Sequence, residues 1–108
     1  MDSATENSVV VQGVLVESDA LRYSPAGIPI LRFRLAHQSR QLEAGAQREV
    51  GCEIETHAFE TEAKFLASAP LGTKLRVEGF LDRKGKSSRQ IVLHARKVQI
   101  LEIGRAHV

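Results

Sequence analysis

Apolar residues in this chain recur at every second position over most of its length, and that period of two constrains the fold more than any other feature. Leu31, Phe33 and Leu35 alternate with Arg32, Arg34 and Ala36, and Val50, Cys52 and Ile54 alternate with Glu49, Glu53 and Glu55. Further on, Leu75, Val77 and Leu81 alternate with Lys74, Arg76, Glu78 and Phe80. Successive side chains on a strand point to opposite faces, so each segment reads as a strand with one buried and one wet face. The Val-rich run Val9 to Val16 opens the series, and Gln90 to Ile103 closes it. In that last segment the apolar parity moves from Ile91 and Leu93 to Val98 and Ile100, which predicts a bulge near Arg96.

The punctuation between these segments is consistent with the period. Gly13 inside the first run marks a bulge or a close bend. Ser24-Pro25-Ala26-Gly27 reads as a type I turn, and Pro29 sits where a strand can begin without needing its N–H. Ser39 to Gln47, with Gly45 and small or polar residues, reads as a hairpin connection, and Cys52 falls on the buried parity. Only one stretch changes period: Thr61 as a cap, Glu62 in the first turn, and Ala63, Phe65, Leu66 and Ala69 as an apolar side, ended by Pro70. The fold class predicted is all-β: a five-stranded OB-fold Greek-key barrel with a short helix between strands 3 and 4. Closure removes the unpaired edges that an open sheet would leave. On pattern alone, an open antiparallel sheet with one helix is the alternative. The expected organisation is one domain over residues 7–103, with flexible ends at 1–6 and 104–108.

Several function classes fall away. A single Cys52 excludes a disulfide scaffold and a four-cysteine metal site. No apolar run approaches the ~20 residues that span a bilayer. Met1 to Ser8 carries acids and no Lys or Arg, so no leader is expected and a cytoplasmic location is the default. The four histidines, His37, His57, His94 and His107, are scattered, and no nucleophile motif or phosphate-cradling loop is present. No catalytic residue, metal or cofactor is therefore expected, and the chain reads as a binding module.

Charge is the informative property. The net charge of +2 argues nothing by itself, but the charges are segregated. Arg22, Arg32, Arg34 and Arg40 occupy residues 20–40 without an acid, and residues 41–62 hold six acids against Arg48. The loop Arg83-Lys84-Gly85-Lys86-Ser87-Ser88-Arg89 is purely basic. Such a loop beside a barrel face can follow a phosphate backbone; it can equally be a solvated hairpin tip. Arg32 and Arg34 have a structural alternative, cross-strand ion pairs with Glu53 and Glu55.

Tyr23-Ser24-Pro25-Ala26-Gly27-Ile28-Pro29, the alternation from Leu31 to His37, Glu43-Ala44-Gly45, Val77-Glu78-Gly79-Phe80-Leu81 and Val92-Leu93-His94-Ala95 come in an order that resembles the PriB family, the bacterial primosomal replication protein N. The resemblance runs from about residue 7 to residue 103. It implies an OB-fold homodimer related to single-stranded-DNA-binding proteins but without their acidic tail; the chain here ends near Arg105 and His107. The family binds single-stranded DNA, joins and stimulates the helicase PriA at collapsed forks, and helps reload the replicative helicase, with DnaT as a further partner.

The site residues that follow for single-stranded DNA are Arg22, Tyr23, Arg34, Arg40, Arg48, Arg83, Lys84, Lys86 and Arg89. Those for the dimer interface are Val9, Val10, Val11, Val14, Leu15 and Val16, because the family pairs first strands across a two-fold axis. One departure stands out. Family members carry a stacking Trp near the start of the third strand and a Phe before it, where this chain has Gly51 and Ala46. Two other readings remain open on these residues: a generic single-strand-binding paralogue acting without PriA, and a protein-interaction module with weak DNA binding.

Overall fold

The computed structural model describes residues 5–104, and in it strand β1 (Val9–Ser18) has a neighbour on each side. The remaining elements are β2 (Arg22–Tyr23), β3 (Pro29–Glu43), β4 (Ala46–Phe59), α1 (Glu60–Leu66), β5 (Lys74–Arg83) and β6 (Ile91–Glu102). The sheet order is β1-β5-β6-β4-β3-β2, and an additional β1–β3 pairing closes the five long strands into a ring. This is the all-β, OB-like architecture that the period implied, with the two-residue β2 paired to β3 at Pro29 and Ile30, beyond the β1 pairing that starts at Phe33. The expected flexible ends fall outside the described residues except at Thr5, Glu6 and Gly104, and the Gly104 N–H donates to Thr73 Oγ1 at 3.0 Å.

Strand β1 reaches both neighbours by changing partner along its length. Its first half, Val9 to Val14, pairs with β5 from Gly79 to Lys74, and its second half, Val14 to Ser18, pairs with β3 from Ala36 to Phe33. Gly13 sits at the changeover, where a Cβ would lie 2.6 Å from the Ala36 carbonyl oxygen. Only a residue without a side chain permits that approach. The bulge itself falls later, between Leu15 and Glu17. Inside the ring, Leu15, Leu31, Leu35, Leu75, Val77 and Leu93 are each no more than 1% exposed and form one cluster with Phe33. The second predicted bulge is where the parity shift put it. Glu78 pairs with Lys97 and Gly79 with Ala95, which leaves Arg96 as the extra residue.

The segment 39–47 is not a loop. β3 and β4 stay in register from Ile30↔Phe59 to Glu43↔Ala46, and the reversal takes only Ala44 (φ 52) and Gly45 (φ 80). Two positive φ values in succession give a turn whose twist matches the strands, so no longer connection is needed. The hairpin therefore extends past the end of the ring, because β1 leaves β3 at Ala36. Cys52 lies on that extension and is exposed, contrary to its expected core position. Its parity was right, but no second layer covers the hairpin there.

The helix also differs in detail. Phe59 occupies the cap position with no side-chain capping bond, and Thr61 lies inside the helix rather than capping it. Ala63 and Leu66 are buried, whereas Phe65 is 50% exposed and does not join the apolar side. β4 and β6 pair only through Thr56↔Leu93 and His57↔His94, and the helix packs against both beside this short contact. There the Val98 N–H donates to Glu62 Oε2 at 3.1 Å.

At Gly79 a methyl group would fall onto the His94 carbonyl oxygen, so strand β5 has to shift to accommodate any side chain. Gly79→Ala is expected to lower unfolding stability by ~1–3 kcal/mol in urea titration. Gly85→Ala, where nothing lies within 4 Å, is expected to change it by less than ~0.5 kcal/mol.

Candidate nucleic-acid interface

The residues that alternate with the core emerge on the outside of the ring, and the register aligns them across four strands. Arg32 of β3 stands opposite His57 of β4, His57 beside His94 of β6, and His94 opposite Phe80 of β5. A neighbouring row runs from Arg22 of β2 through Ile30 to Phe59. Side chains opposite one another in a sheet share a face, so these residues form a continuous surface.

The aromatic groups on this surface stack on one another. The His94 ring lies 5.1 Å from Phe80 and 5.9 Å from Phe59 between centroids, with interplanar angles of 5° and 2°. His57 meets His94 edge-on at 5.7 Å, and the Arg96 guanidinium covers Phe80 at 4.8 Å from its centroid. Burial pushes the His94 imidazole below its usual pKa of 6.5; His57 adds to that shift and Asp82 opposes it. Sequence reasoning put Phe80 on outward parity but did not gather it with Phe59, His57 and His94. That grouping needs the parallel β4–β6 contact, which joins segments far apart in the chain.

The basic loop borders the same surface. Lys84 N–H donates to the Gln90 carbonyl at 2.9 Å and Ser88 N–H to Gly85 at 3.0 Å, which folds the loop into a turn at the β5–β6 connection. His57, Asp82, Arg83, Lys84, Lys86 and His94 line one groove. Asp19, Arg32, Arg34, Glu55 and Lys84 line a second, so Lys84 belongs to both. Among the described residues, Lys86 and Arg89 enter no ion pair.

The other named residues divide. Arg22 is exposed and lies 4.0 Å from Asp19, and Tyr23, 61% exposed, pairs through its backbone with Pro29. Arg40 and Arg48 are carried on the hairpin extension and line neither groove; Arg48 is engaged by Glu43 at 3.3 Å. The expected ion pairs are only partly formed. Arg34 stands opposite Glu55 but approaches Glu17 at 3.7 Å and Glu53 at 4.0 Å, while Arg32 has no ion pair among the described residues. Glu55 is engaged instead by His57 and Lys84. Among the described residues there is no cluster of three or more His, Cys, Asp or Glu that could hold a metal, and no helix long and apolar enough to cross a membrane.

Comparison with known proteins gives a consistent set of likenesses. The sequence model of a family described as another single-strand binding protein family matches residues 7–97. The chain is 35% identical to the replication restart protein PriB of Nitrosomonas europaea over 92% of each chain. It is 37% identical to PriB of Bordetella pertussis over 86% of this chain and 87% of that one. The solved structure of PriB from Ralstonia solanacearum superposes with a TM-score of 0.82 at 31% identity, covering 90% of this chain and 99% of the other. The single-stranded DNA binding protein of Thermus aquaticus superposes at 0.72 with 27% identity, over 90% of this chain and half of that one.

The depressed His94 pKa has a defined sign. The unfolded chain takes up a proton near pH 6.5 that the folded chain resists, so stability is full above that pH and falls as the pH drops through it. Thermal melts followed by circular dichroism are expected to show a lower Tm at pH 5.5 than at pH 7.5. His94→Phe, which keeps a ring between Phe59 and Phe80, is expected to reduce that difference.

Proposed function

The chain belongs to the PriB family of replication restart proteins, within the single-strand-binding proteins, and from that membership we propose that it binds single-stranded DNA on the outer face of its ring as a non-enzymatic primosome component. In this reading it binds and stimulates the helicase PriA, helps reload the replicative helicase at stalled forks in the cytoplasm, and takes DnaT as a further partner.

The observation that carries the reading is the coincidence of aromatic groups and basic side chains on one surface. Phosphates follow Arg83, Lys84, Lys86 and Arg89, with Arg22, Tyr23 and Arg34 extending the path across the face. Bases meet the exposed parts of Phe59, His94 and Phe80. Base–ring stacking contributes ~1–3 kcal/mol per base and tolerates any sequence. His94 lies between Phe59 and Phe80, and Arg96 covers Phe80, so this group only partly replaces the stacking surface that Gly51 and Ala46 lack. Arg40 and Arg48 serve a longer strand that also runs along the hairpin extension.

The protein acts as a homodimer joined through β1. Strand alternation and one contact support this. His37 Nδ1–H donates to the Gln12 carbonyl at 2.7 Å from the β3 side, so the polar backbone groups of Gln12 and Val10 point away from β5. β3 pairing begins only at Val14, which leaves that edge without a strand partner, and Val10 is 52% exposed. Leu15 is 1% exposed inside its own ring, so the interface narrows to Val10 with the half-buried Val9, Val11, Val14 and Val16. Light scattering is expected to give about twice the 11.9 kDa chain mass, and a monomer at micromolar concentration would reject the dimer.

Replacing Arg83, Lys84, Lys86 and Arg89 together with Ala is expected to weaken oligo-dT binding at low salt. The slope of log affinity against log salt should flatten by ~0.7 for each phosphate that the variant no longer neutralises. Unchanged affinity and slope would remove the loop from the DNA path. Stimulation of PriA unwinding on a forked substrate tests the helicase partnership, and no change in unwinding would reject it.

A further inference from the structure

Lys84 is the one basic residue that lines both grooves, yet its charge is already engaged. Its ammonium lies 3.0 Å from Glu55 Oε1, and the other oxygen of the same carboxylate, Oε2, lies 2.6 Å from His57 Nε2. Glu55 is 20% exposed and His57 11%, while Lys84 keeps 45% of its side chain in solvent. A carboxylate held between an ammonium and an imidazole N–H occupies the place that two oxygens of a phosphodiester would take, with the same donors and the same sign of charge. The His57 hydrogen bond, with Lys84 adding to it and partial burial opposing it, holds the Glu55 carboxyl below the usual 4.5, so it is ionised at neutral pH. Of the neighbouring carboxylates, Glu53 and Glu17 lie at Arg34, Asp19 lies at Arg22, and Asp82, which shares a groove with Lys84, accepts the Arg83 N–H at 2.8 Å.

We infer that Lys84 Nζ and His57 Nε2 form an anion subsite for one backbone phosphate of single-stranded DNA, and that Glu55 fills this subsite in the unbound protein. The inference rests on the single-strand-binding reading and adds an internal competitor to it. A phosphate that enters displaces the carboxylate, which turns toward solvent, and no bond is made or broken. Exchange of one anion for another leaves Lys84 paired before and after. Lys84 therefore contributes less to the salt dependence than Lys86 or Arg89, which begin unpaired.

The test is fluorescence anisotropy of labelled oligo-dT across a salt series with Glu55→Gln, Glu53→Gln and Lys84→Ala, singly and with Lys84→Ala combined with each glutamine. Glu53→Gln removes the same charge from the same strand without touching Lys84; because it also frees Arg34, it measures general repulsion together with the release of one other cation, which makes it a stringent reference. Glu55→Gln is expected to bind about two- to fivefold more tightly at low salt, the scale of releasing one exposed ion pair, and more tightly than Glu53→Gln. In the Lys84→Ala background its gain is expected to fall to the Glu53→Gln level. A gain no larger than that of Glu53→Gln, or one that persists without Lys84, overturns the subsite while leaving single-strand binding intact. Failure of the unaltered protein to bind oligo-dT overturns the DNA-binding reading and the subsite with it. Should Glu55→Gln not fold by circular dichroism, Glu55→Asp goes through the same cycle. Its shorter arm loses the reach to Lys84 while keeping the charge, and the same direction of change is expected.

Discussion

Strand β1 is shared between two neighbours, and the closed ring follows from that sharing. A strand with β5 on one edge and β3 on the other joins the two ends of the sheet, and this is possible only because the chain crosses Ala36 at Gly13 with no side chain in the way. Closure then makes the interior common to all five long strands, so that Leu15, Leu35 and Leu75 share one core. It also makes the exterior continuous. Arg32, His57, His94 and Phe80 come from four strands, and they form one surface because the ring keeps β3, β4, β6 and β5 side by side.

The exterior is basic in composition but largely self-neutralised in detail. Glu17 and Glu53 attend Arg34, Glu55 attends Lys84, and Glu78 holds Arg76 at 2.8 Å. With a net charge of +2, the protein exerts little long-range pull on a polyanion. Lys86 and Arg89 of the β5–β6 connection are exposed and, among the described residues, enter no ion pair. Such an arrangement favours contacts set by position over those set by bulk charge.

Much of the fold was legible because it rests on local alternation. The inward parity of Leu31, Phe33 and Leu35, the strand start at Pro29, and the unpaired residue at Arg96 all follow from a period of two and its single interruption. The turn at Ser24 to Gly27 is closed by the Gly27 N–H to Ser24 carbonyl bond at 2.8 Å, as Pro25 and Gly27 implied. Where reading failed, the deciding partner was remote. Cys52 had the right parity and no layer to bury it, and Phe65 belonged to a helix whose buried side was set by β3, β4 and β6. The 39–47 segment carried its signal in Ala44-Gly45, a two-residue reversal that an alanine at positive φ disguises.

Period, turn chemistry and charge act within a few residues, so the order of amino acids alone settled which segments are strands, which side of each is wet, and where the basic loop falls. The family likeness, too, ran along nearly the whole chain. Which wet residues meet was settled by three-dimensional closure. Phe59, Phe80 and His94 come from three strands, and Glu55 reaches Lys84 across 29 positions of sequence. Those neighbours are created by ring closure and by the short parallel contact between β4 and β6. No local pattern encodes such contacts, because side chains opposite one another across a sheet are related by register and not by spacing along the chain.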